Sequence, residues 1–372
     1  MEVPVKFSSV ARVSVVAAIT ALALTSCAAN EGSPSASGSA SDSPAASNLS
    51  GELVGVGASS QGTAQTTWGA GFQTANEKVT VNYDPSGSGA GRKAFIAGGA
   101  AFAGSDSALS DEELAGSFGT CKADTKAIDI PVYISPIAVI FNVDGVKDLN
   151  LDAATLAGIF SGKITQWNDP AIVALNKDAK LPDAKINAVH RSDASGTTKN
   201  FADYLNQNAP DVWTEKPADD FPYTGGEGAQ GTSGVVDAVT NGTNMIGYAD
   251  ASRAGKLGVV KVKVGDKFVG YSAEAAAAVV AESPLVEGRG ANDLAIKLDR
   301  KTTDATHYPI VLVSYAIACE TYKDPAQGTL TKAYLEYITS EAGQKAAAEK
   351  AGNAPLSADL SKKVATAVGS IK

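Results

Sequence analysis

Three short segments rich in glycine and hydroxyl side chains have the composition of an anion-binding site. They are Gly57-Ala-Ser-Ser, Gly87-Ser-Gly-Ala-Gly and Arg191-Ser-Asp-Ala-Ser-Gly-Thr, and each lies between a predicted strand and a predicted helix. A helix N-terminus carries unpaired N–H groups and the positive end of the helix dipole, and glycine lets an anion approach the backbone closely. The Arg191 guanidinium adds a planar set of donors that fits a tetrahedral oxyanion. Ordinary N-caps use the same hydroxyl residues, so one junction would mean little, but three with an arginine predict an oxyanion site.

Catalytic and nucleotide-binding motifs fit the sequence poorly. The chain has only two histidines, His190 and His307, and it lacks a Gly-x-Ser-x-Gly elbow and a zinc-type cluster. The glycines after Gly87 do not have the GxGxxG spacing, and Gly91-Arg-Lys is not a nucleotide P-loop. We therefore expect a binding protein that is not an enzyme and has no cofactor or metal. A secreted phosphatase that uses Ser88 or Ser195 as nucleophile is the less favoured alternative.

The N-terminus has the pattern of a secretory signal. Lys6 and Arg12 precede an apolar run over residues 13–24, which is too short for a comfortable membrane span. Leu24-Thr-Ser-Cys27 resembles the lipobox of bacterial lipoproteins, in which the cysteine is acylated and becomes the mature N-terminus. We expect cleavage before Cys27 and a lipid anchor on the outer face of the cytoplasmic membrane. An ordinary signal peptide with an incidental cysteine is the alternative.

Residues 28–50 consist mainly of Ser, Ala, Gly and Pro, a composition typical of a disordered tether. The formal net charge of the whole chain is −9, and no run of Lys and Arg occurs, so nucleic acid is not an expected partner. An acidic total does not exclude an anionic ligand, because helix N-termini and one arginine act locally.

Apart from Cys27, the chain has two cysteines, Cys121 and Cys319. In an exported chain this pair predicts one disulfide, with two separate buried thiols as the alternative.

Predicted strands alternate with predicted helices from residue 52 onward, which indicates an α/β fold. Ser110 and Glu113 have the spacing of a capping box at the start of a helix. We expect an apolar strand over residues 131–141 that is interrupted by Pro136, and a single terminal helix over residues 325–350.

Four segments occur in the order and at the separations typical of one family. They are Gly55-Val-Gly-Ala-Ser, Gly87-Ser-Gly-Ala-Gly, Ala103-Gly-Ser-Asp-Ser-Ala-Leu-Ser-Asp and His190-Arg-Ser-Asp-Ala-Ser-Gly-Thr. Together they resemble the phosphate-binding proteins of the phosphate-specific ABC importer, and the last segment is the most specific. The resemblance implies a two-lobe Venus-flytrap (type II periplasmic-binding-protein) fold with strands that cross between the lobes. The first lobe would comprise residues 51–140 and 306–372, and the second residues 141–305.

The resemblance also implies the ligand, the partner and the site residues. The ligand would be inorganic phosphate, the partner the membrane permease subunits of the importer, and the protein a monomer. Asp193 would orient Arg191, and Cys121 and Cys319 would pair within the first lobe. Where the family often has Thr-Phe, this chain has Ser59-Ser60. The residues expected to contact phosphate are Ser59, Ser60, Ser88 and Asp106 from the first lobe, and Arg191, Ser195, Gly196 and Thr197 from the second.

Asp106 distinguishes among the oxyanions that such a site could bind. An ionised carboxylate only accepts hydrogen bonds, so it pairs with protonated phosphate or arsenate and repels sulfate, which carries no proton. A receptor for another oxyanion, such as sulfate or molybdate, is the alternative within binding proteins. An adhesive or signalling surface protein is the third class.

Overall fold

The computed structural model describes residues 48–372. The predicted signal peptide with Cys27, and the predicted tether up to residue 47, lie outside the described residues. The strands are β1 Gly51–Gly57, β2 Val79–Asp84, β3 Phe102–Ser105, β4 Ala127–Asn142, β5 Leu149–Leu151, β6 Asn187–Arg191, β7 Glu227–Ala229, β8 Met245–Asp250, β9 Gly258–Val264, β10 Lys267–Val269 and β11 Val311–Cys319. The helices are α1 Gly62–Ala75, α2 Ser88–Ala97, α3 Asp111–Ala115, α4 Ala153–Phe160, α5 Pro170–Leu175, α6 Gly196–Asn208, α7 Gly231–Asn241, α8 Ala273–Glu282, α9 Pro325–Thr339, α10 Glu341–Ala351 and α11 Ala358–Gly369.

The strands form a mixed sheet with the order β2-β1-β3-β11-β4-β8-β6-β7. At one end, β1 is parallel to β2 and β3, and at the other end β6 is parallel to β7 and β8. Between them, β11 and β4 are antiparallel to their neighbours. The predicted α/β class is confirmed. Because α1, α2, α6 and α7 all follow parallel strands, their N-termini lie at the carboxyl ends of those strands, where ligands bind in open α/β sheets.

Strand β4 connects the two parallel groups. Residues Ala127 to Pro136 pair with β11, and Ile137 to Asn142 pair with β8. The expectation that Pro136 interrupts this strand is wrong, because β4 runs unbroken for 16 residues. Proline lacks an N–H and is tolerated only where the ladder does not need one. Pro136 lies where the strand changes partner, and the next N–H, from Ile137, is donated to the Ile310 carbonyl at 2.7 Å.

The C-terminal part contains three helices where the sequence predicted one. The helix expected over residues 325–350 is divided at Ser340, whose hydroxyl accepts a hydrogen bond from the Gly343 N–H at 3.1 Å and caps α10. Serine is among the strongest N-cap residues, so this cap sets the start of a new helix. Helix α11 was not predicted.

Two other local predictions are confirmed. The hydroxyl of Ser110 and the carboxylate of Glu113 form the capping box at the start of α3. Cys121 and Cys319 form a disulfide with Cα atoms 5.3 Å apart, so the alternative of two separate thiols is wrong. Among the helices of residues 48–372, none combines the length and apolar composition needed to cross a membrane.

Candidate anion-binding site

The starts of four helices meet at one place. A 3-10 turn, Ser59–Gln61, leads into α1, and α2, α6 and α7 begin beside it. The Gly89 N–H of α2 donates to the Ala194 carbonyl just before α6, at 3.0 Å. The Thr232 N–H of α7 donates to the Ser59 hydroxyl, also at 3.0 Å. The N-termini of four helices, each the positive end of its helix dipole, are thus concentrated in one region.

The carboxylate of Asp106, which follows β3, is the centre of this region. Its Oδ1 accepts hydrogen bonds from the hydroxyls of Ser60 at 2.6 Å and Ser314 at 2.5 Å. Its Oδ2 accepts from the hydroxyl of Thr197 at 2.8 Å, and its backbone N–H donates to the Ser88 hydroxyl at 3.1 Å. Asp106 therefore links both sides of the cluster through hydroxyl groups.

Asp106 is only 4% exposed. Burial raises the pKa of this carboxyl above its ordinary value, while the hydrogen bond from Ser314 and the charge of Arg191 oppose the rise. A carboxylate has about four acceptor positions. Two hydroxyls donate to Oδ1 and one donates to Oδ2. Among residues 48–372 no second donor to Oδ2 occurs, so one acceptor position of the carboxylate is vacant. Asp106 can thus accept one further proton-bearing group.

Arg191, at the end of β6, is 3% exposed and paired with Asp193. Its Nε and Nη2 donate to the two carboxylate oxygens at 2.7 and 2.5 Å, whereas Nη1 has no acceptor within the described part of the chain. Burial by itself would raise the pKa of Asp193, but the hydrogen bonds and charge of Arg191 hold it below its ordinary value. Gly87 packs against this pair: its φ is +110°, and a Cβ there would lie 2.4 Å from Asp193 Oδ2.

The remaining predicted residues lie at the same helix starts. The Ser195 hydroxyl caps α6 by accepting from the Thr198 N–H at 3.3 Å. Gly196 packs so closely on Asp106 that a Cβ would come within 2.7 Å of it, so glycine is required there. The Ser59 hydroxyl contacts the start of α7 rather than the Asp106 carboxylate.

The sequence-predicted residues therefore converge from two segments of the chain. We call them the first half-site, which comprises Ser59, Ser60, Ser88 and Asp106, and the second half-site, which comprises Arg191, Ser195, Gly196 and Thr197.

Sequence reasoning missed three polar residues of the cluster. Ser314 lies in the fully buried strand β11, where an isolated hydroxyl among apolar residues was the available signal. Thr232 follows Gly231 at a helix start, the same glycine–hydroxyl pattern that identified the other junctions. Asn200 donates to the carbonyls of Asp106 at 2.8 Å and Gly196 at 2.9 Å, and nothing in its local sequence indicated this role.

Within residues 48–372, neither histidine is hydrogen-bonded to a serine. The ring of His190 stacks on Phe221 with the centroids 4.0 Å apart, and its Nδ1 lies 2.9 Å from the Arg191 carbonyl oxygen. His307 contacts Thr302. Over residues 48–372, no group of three or more His, Cys, Asp or Glu side chains is arranged to hold a metal ion.

Comparisons with known proteins place this chain in one family. Residues 34–342 match the model of the PBP superfamily domain. Phosphate-binding protein PstS 3 of Mycobacterium tuberculosis is 37% identical over 326 residues, which cover 86% of each chain. Phosphate-binding protein PstS 2 of the same organism is 32% identical over 367 residues, which cover 97% of this chain and 98% of that protein.

A solved structure has the same fold. It is a high-affinity periplasmic phosphate-binding protein, PfluDING, bound with phosphate at pH 8.5. It superposes with a TM-score of 0.68 at 22% identity, over 85% of this chain and 93% of that one. The two-lobe periplasmic-binding-protein fold implied by the sequence resemblance is confirmed. On the family match and the identity to these relatives, the chain belongs to the PstS family of phosphate-binding proteins within the PBP superfamily.

Proposed function

We propose that this chain binds inorganic phosphate outside the cytoplasmic membrane and delivers it to an ABC phosphate importer. The observation that carries the proposal is the buried carboxylate of Asp106, placed among four helix N-termini and beside Arg191. A carboxylate opposes anion binding unless the anion brings a proton for it to accept. Phosphate near neutral pH carries such a proton, and the relatives named as phosphate-binding proteins support this choice of ligand.

The serines of the site differ in whether their hydroxyl hydrogen is already donated within the protein. The Ser88 hydroxyl accepts from the Asp106 N–H, and the Ser195 hydroxyl accepts from the Thr198 N–H. Each keeps its own hydrogen, for which residues 48–372 provide no acceptor. We therefore assign Ser88 and Ser195 as hydroxyl donors to phosphate oxygens.

Ser60 and Thr197 contribute differently, because their hydroxyl hydrogens are already donated to Asp106. In the proposed site the hydroxyls of these two residues hold the carboxylate in position, and the residues donate to phosphate only through their backbone N–H groups. Ser59 and Gly196 contribute backbone N–H groups at the starts of their helices.

Arg191 supplies the positive charge of the proposed site. Asp193 occupies the Nε–Nη2 edge of the guanidinium and fixes its plane, which leaves Nη1 to donate to phosphate. A planar guanidinium fixed in this way loses little side-chain entropy on binding, which favours high affinity.

We propose binding without catalysis, and no cofactor. Neither histidine is placed to activate a serine, and the family consists of substrate-binding proteins. A test with p-nitrophenyl phosphate separates this from the phosphatase alternative, because steady product release would contradict it.

The remaining parts of the proposal concern location and assembly. We propose that Cys27 is acylated, that the anchored protein is a monomer, and that it docks on the importer's permease subunits. Intact mass spectrometry of the mature protein tests the first point, since an unmodified N-terminus at another residue would contradict it.

We also propose that residues 51–140 and 306–372 form the first lobe and that residues 141–305 form the second. The segment before residue 306 packs on first-lobe strands as well, since Leu294 donates to the Asp129 carbonyl at 2.9 Å.

Calorimetric titration of ligand-stripped protein with phosphate, sulfate and molybdate tests the ligand directly. We expect phosphate to bind and sulfate to fail as a competitor even in large excess. Equal affinity for phosphate and sulfate would show that Asp106 does not contact the ligand. It would favour a receptor for oxyanions in general.

A further inference from the structure

Beside the anion-binding cluster, a second charged contact joins the two half-sites. Asp219 lies in the segment between α6 and β7, and its Oδ2 accepts a hydrogen bond from Arg92 Nη2 of α2 at 2.6 Å. Its Oδ1 accepts from the hydroxyl of Ser107 at 2.6 Å. Ser107 follows Asp106 directly, so Asp219, whose segment is hydrogen-bonded to Ser195 of the second half-site, reaches the immediate neighbour of the central carboxylate of the first.

Two further hydrogen bonds fix the guanidinium of Arg92. Its Nε donates to Glu113 at 2.9 Å, and its Nη1 donates to the Ser105 hydroxyl at 3.1 Å. Glu113 and Ser105 both belong to the chain around the first half-site. These two residues therefore fix the position of the guanidinium, and Nη2 remains directed at Asp219.

Asp219 is fixed just as firmly to the second half-site. Its backbone carbonyl accepts from the N–H of Ser195, the N-cap of α6, at 2.9 Å. Two residues later, Phe221 stacks on His190 of β6 with the ring centroids 4.0 Å apart. Trp213, on the same segment, packs edge-on against Tyr223 at 4.7 Å. The segment therefore moves together with α6 and β6, which carry Ser195 and Arg191.

The charges of this contact are shielded from water. The side chains of Arg92 and Asp219 are 12% and 11% exposed. Burial alone would raise the pKa of Asp219, but the charge of Arg92 and the Ser107 hydroxyl hold it below its ordinary value, so Asp219 is ionised at neutral pH. A charge pair with little exposure to water is screened much less by salt than a surface pair.

We infer that Asp219 is a positioning residue for phosphate binding: its contacts with Arg92 and Ser107 clasp the two half-sites together and slow the release of the ligand. The inference rests on the proposed phosphate-binding function. In this proposal the residues of the clasp, Asp219, Arg92 and Ser107, do not contact the ligand. It stabilises the arrangement in which both half-sites face each other, and apparent affinity rises with the population of that arrangement.

Asp219→Asn tests the clasp, with Asp220→Asn as the matched control, because Asp220 is the adjacent carboxylate and is exposed. Close charge pairs across an interface couple strongly, and most of the loss on breaking them appears in the dissociation rate. We expect Asp219→Asn to release phosphate about 10-fold faster or more, and to increase the radius of gyration of the ligand-free protein in X-ray scattering. Asp220→Asn should behave like wild type in both measurements.

A double-mutant cycle with Arg92→Gln gives the second readout. If the clasp acts through this pair, the double variant should release phosphate little faster than either single variant, and the fold-changes should not multiply. Failure of wild type to bind phosphate would contradict the proposed function. Wild-type binding with unchanged release in Asp219→Asn would overturn the clasp alone, as would a lowered melting temperature without any change in release.

Discussion

The Ser314 hydroxyl donates a hydrogen bond of 2.5 Å to Oδ1 of Asp106, a residue 208 positions earlier in the chain. This contact exists because β11 returns from the C-terminal part of the chain and inserts between β3 and β4. The strand that completes the sheet thus also supplies a donor to the carboxylate of the site. The consequence is that Asp106 is held by three hydroxyls from three separate parts of the chain.

Asp106→Asn should reduce the discrimination between phosphate and sulfate. The amide supplies a donor and removes the negative charge, so sulfate no longer faces a like-charged acceptor. Sites that pair with a ligand's hydrogen-bonding group reject an analogue without it by about 10⁴–10⁵, and we expect the variant to lose about 100-fold or more of this ratio. Calorimetric titration with both anions measures it. Asp111→Asn, at an exposed carboxylate nearby, is the control and should keep the wild-type ratio.

Ser88→Ala should weaken phosphate binding by about 10- to 100-fold, because hydrogen bonds to charged groups contribute about 1.5–3 kcal/mol. The prediction follows from the free hydrogen of Ser88, whose oxygen already accepts from the Asp106 N–H. Ser86→Ala is the control, since the structure gives that nearby side chain no hydrogen bond within the described residues. Equal loss in the two variants, or none in Ser88→Ala, would contradict the assignment of Ser88 as a donor.

The sequence could indicate which residues lie together at the helix starts, because the pattern of each junction is local. A strand that ends in glycines, followed by hydroxyls and a helix, is readable over a few residues, as at Gly87-Ser88 and Ser195-Gly196. The pairing of Arg191 with Asp193 is equally local, since only one residue separates them. The disulfide could be proposed because only Cys121 and Cys319 were left to pair.

What could not be predicted depends on pairing across the chain. Ser314 and Asn200 contact Asp106 only after the sheet has assembled, and neither has a distinctive neighbourhood in sequence. Pro136 was taken as an interruption because a single sequence does not show where a strand changes partner. The Asp219–Arg92 contact crosses 127 positions, and a single aspartate in a loop gives no signal of it.

Arg191→Ala should abolish useful phosphate binding, a loss of several kcal/mol by analogy with truncated buried charge pairs. Arg191→Lys should also bind much more weakly, because an ammonium cannot pair with both oxygens of Asp193 and still present a fixed donor to the ligand. Equilibrium dialysis with labelled phosphate measures both variants. Lys163→Ala, whose ammonium donates to the Val212 carbonyl, serves as control and should bind like wild type.

Asp250 ends β8 opposite Ile137, the first residue of β4 that pairs with β8. It is fully buried, and its Oδ1 accepts from the Tyr133 hydroxyl and the Ser252 N–H, both at 3.0 Å. Its Oδ2 is buried without a hydrogen-bond partner within the described residues. Burial raises the pKa of this carboxyl from 3.8 to about 6, although the hydrogen bond from the Ser252 N–H opposes the rise.

The raised pKa of Asp250 predicts a specific dependence of stability on pH. Between about pH 4 and pH 6 the folded chain keeps a proton that the unfolded chain releases, so the free energy of unfolding falls as the pH rises through this window. The contribution is about 3 kcal/mol at 1.36 kcal/mol per pKa unit. Asp250→Asn mimics the protonated acid and keeps an acceptor for Tyr133. In urea unfolding at pH 4 to 7, the free energy of unfolding of this variant should therefore fall less with rising pH than that of wild type. Asp237→Asn, at an exposed carboxylate of α7, should keep the wild-type fall, and an identical fall in both variants would contradict the prediction.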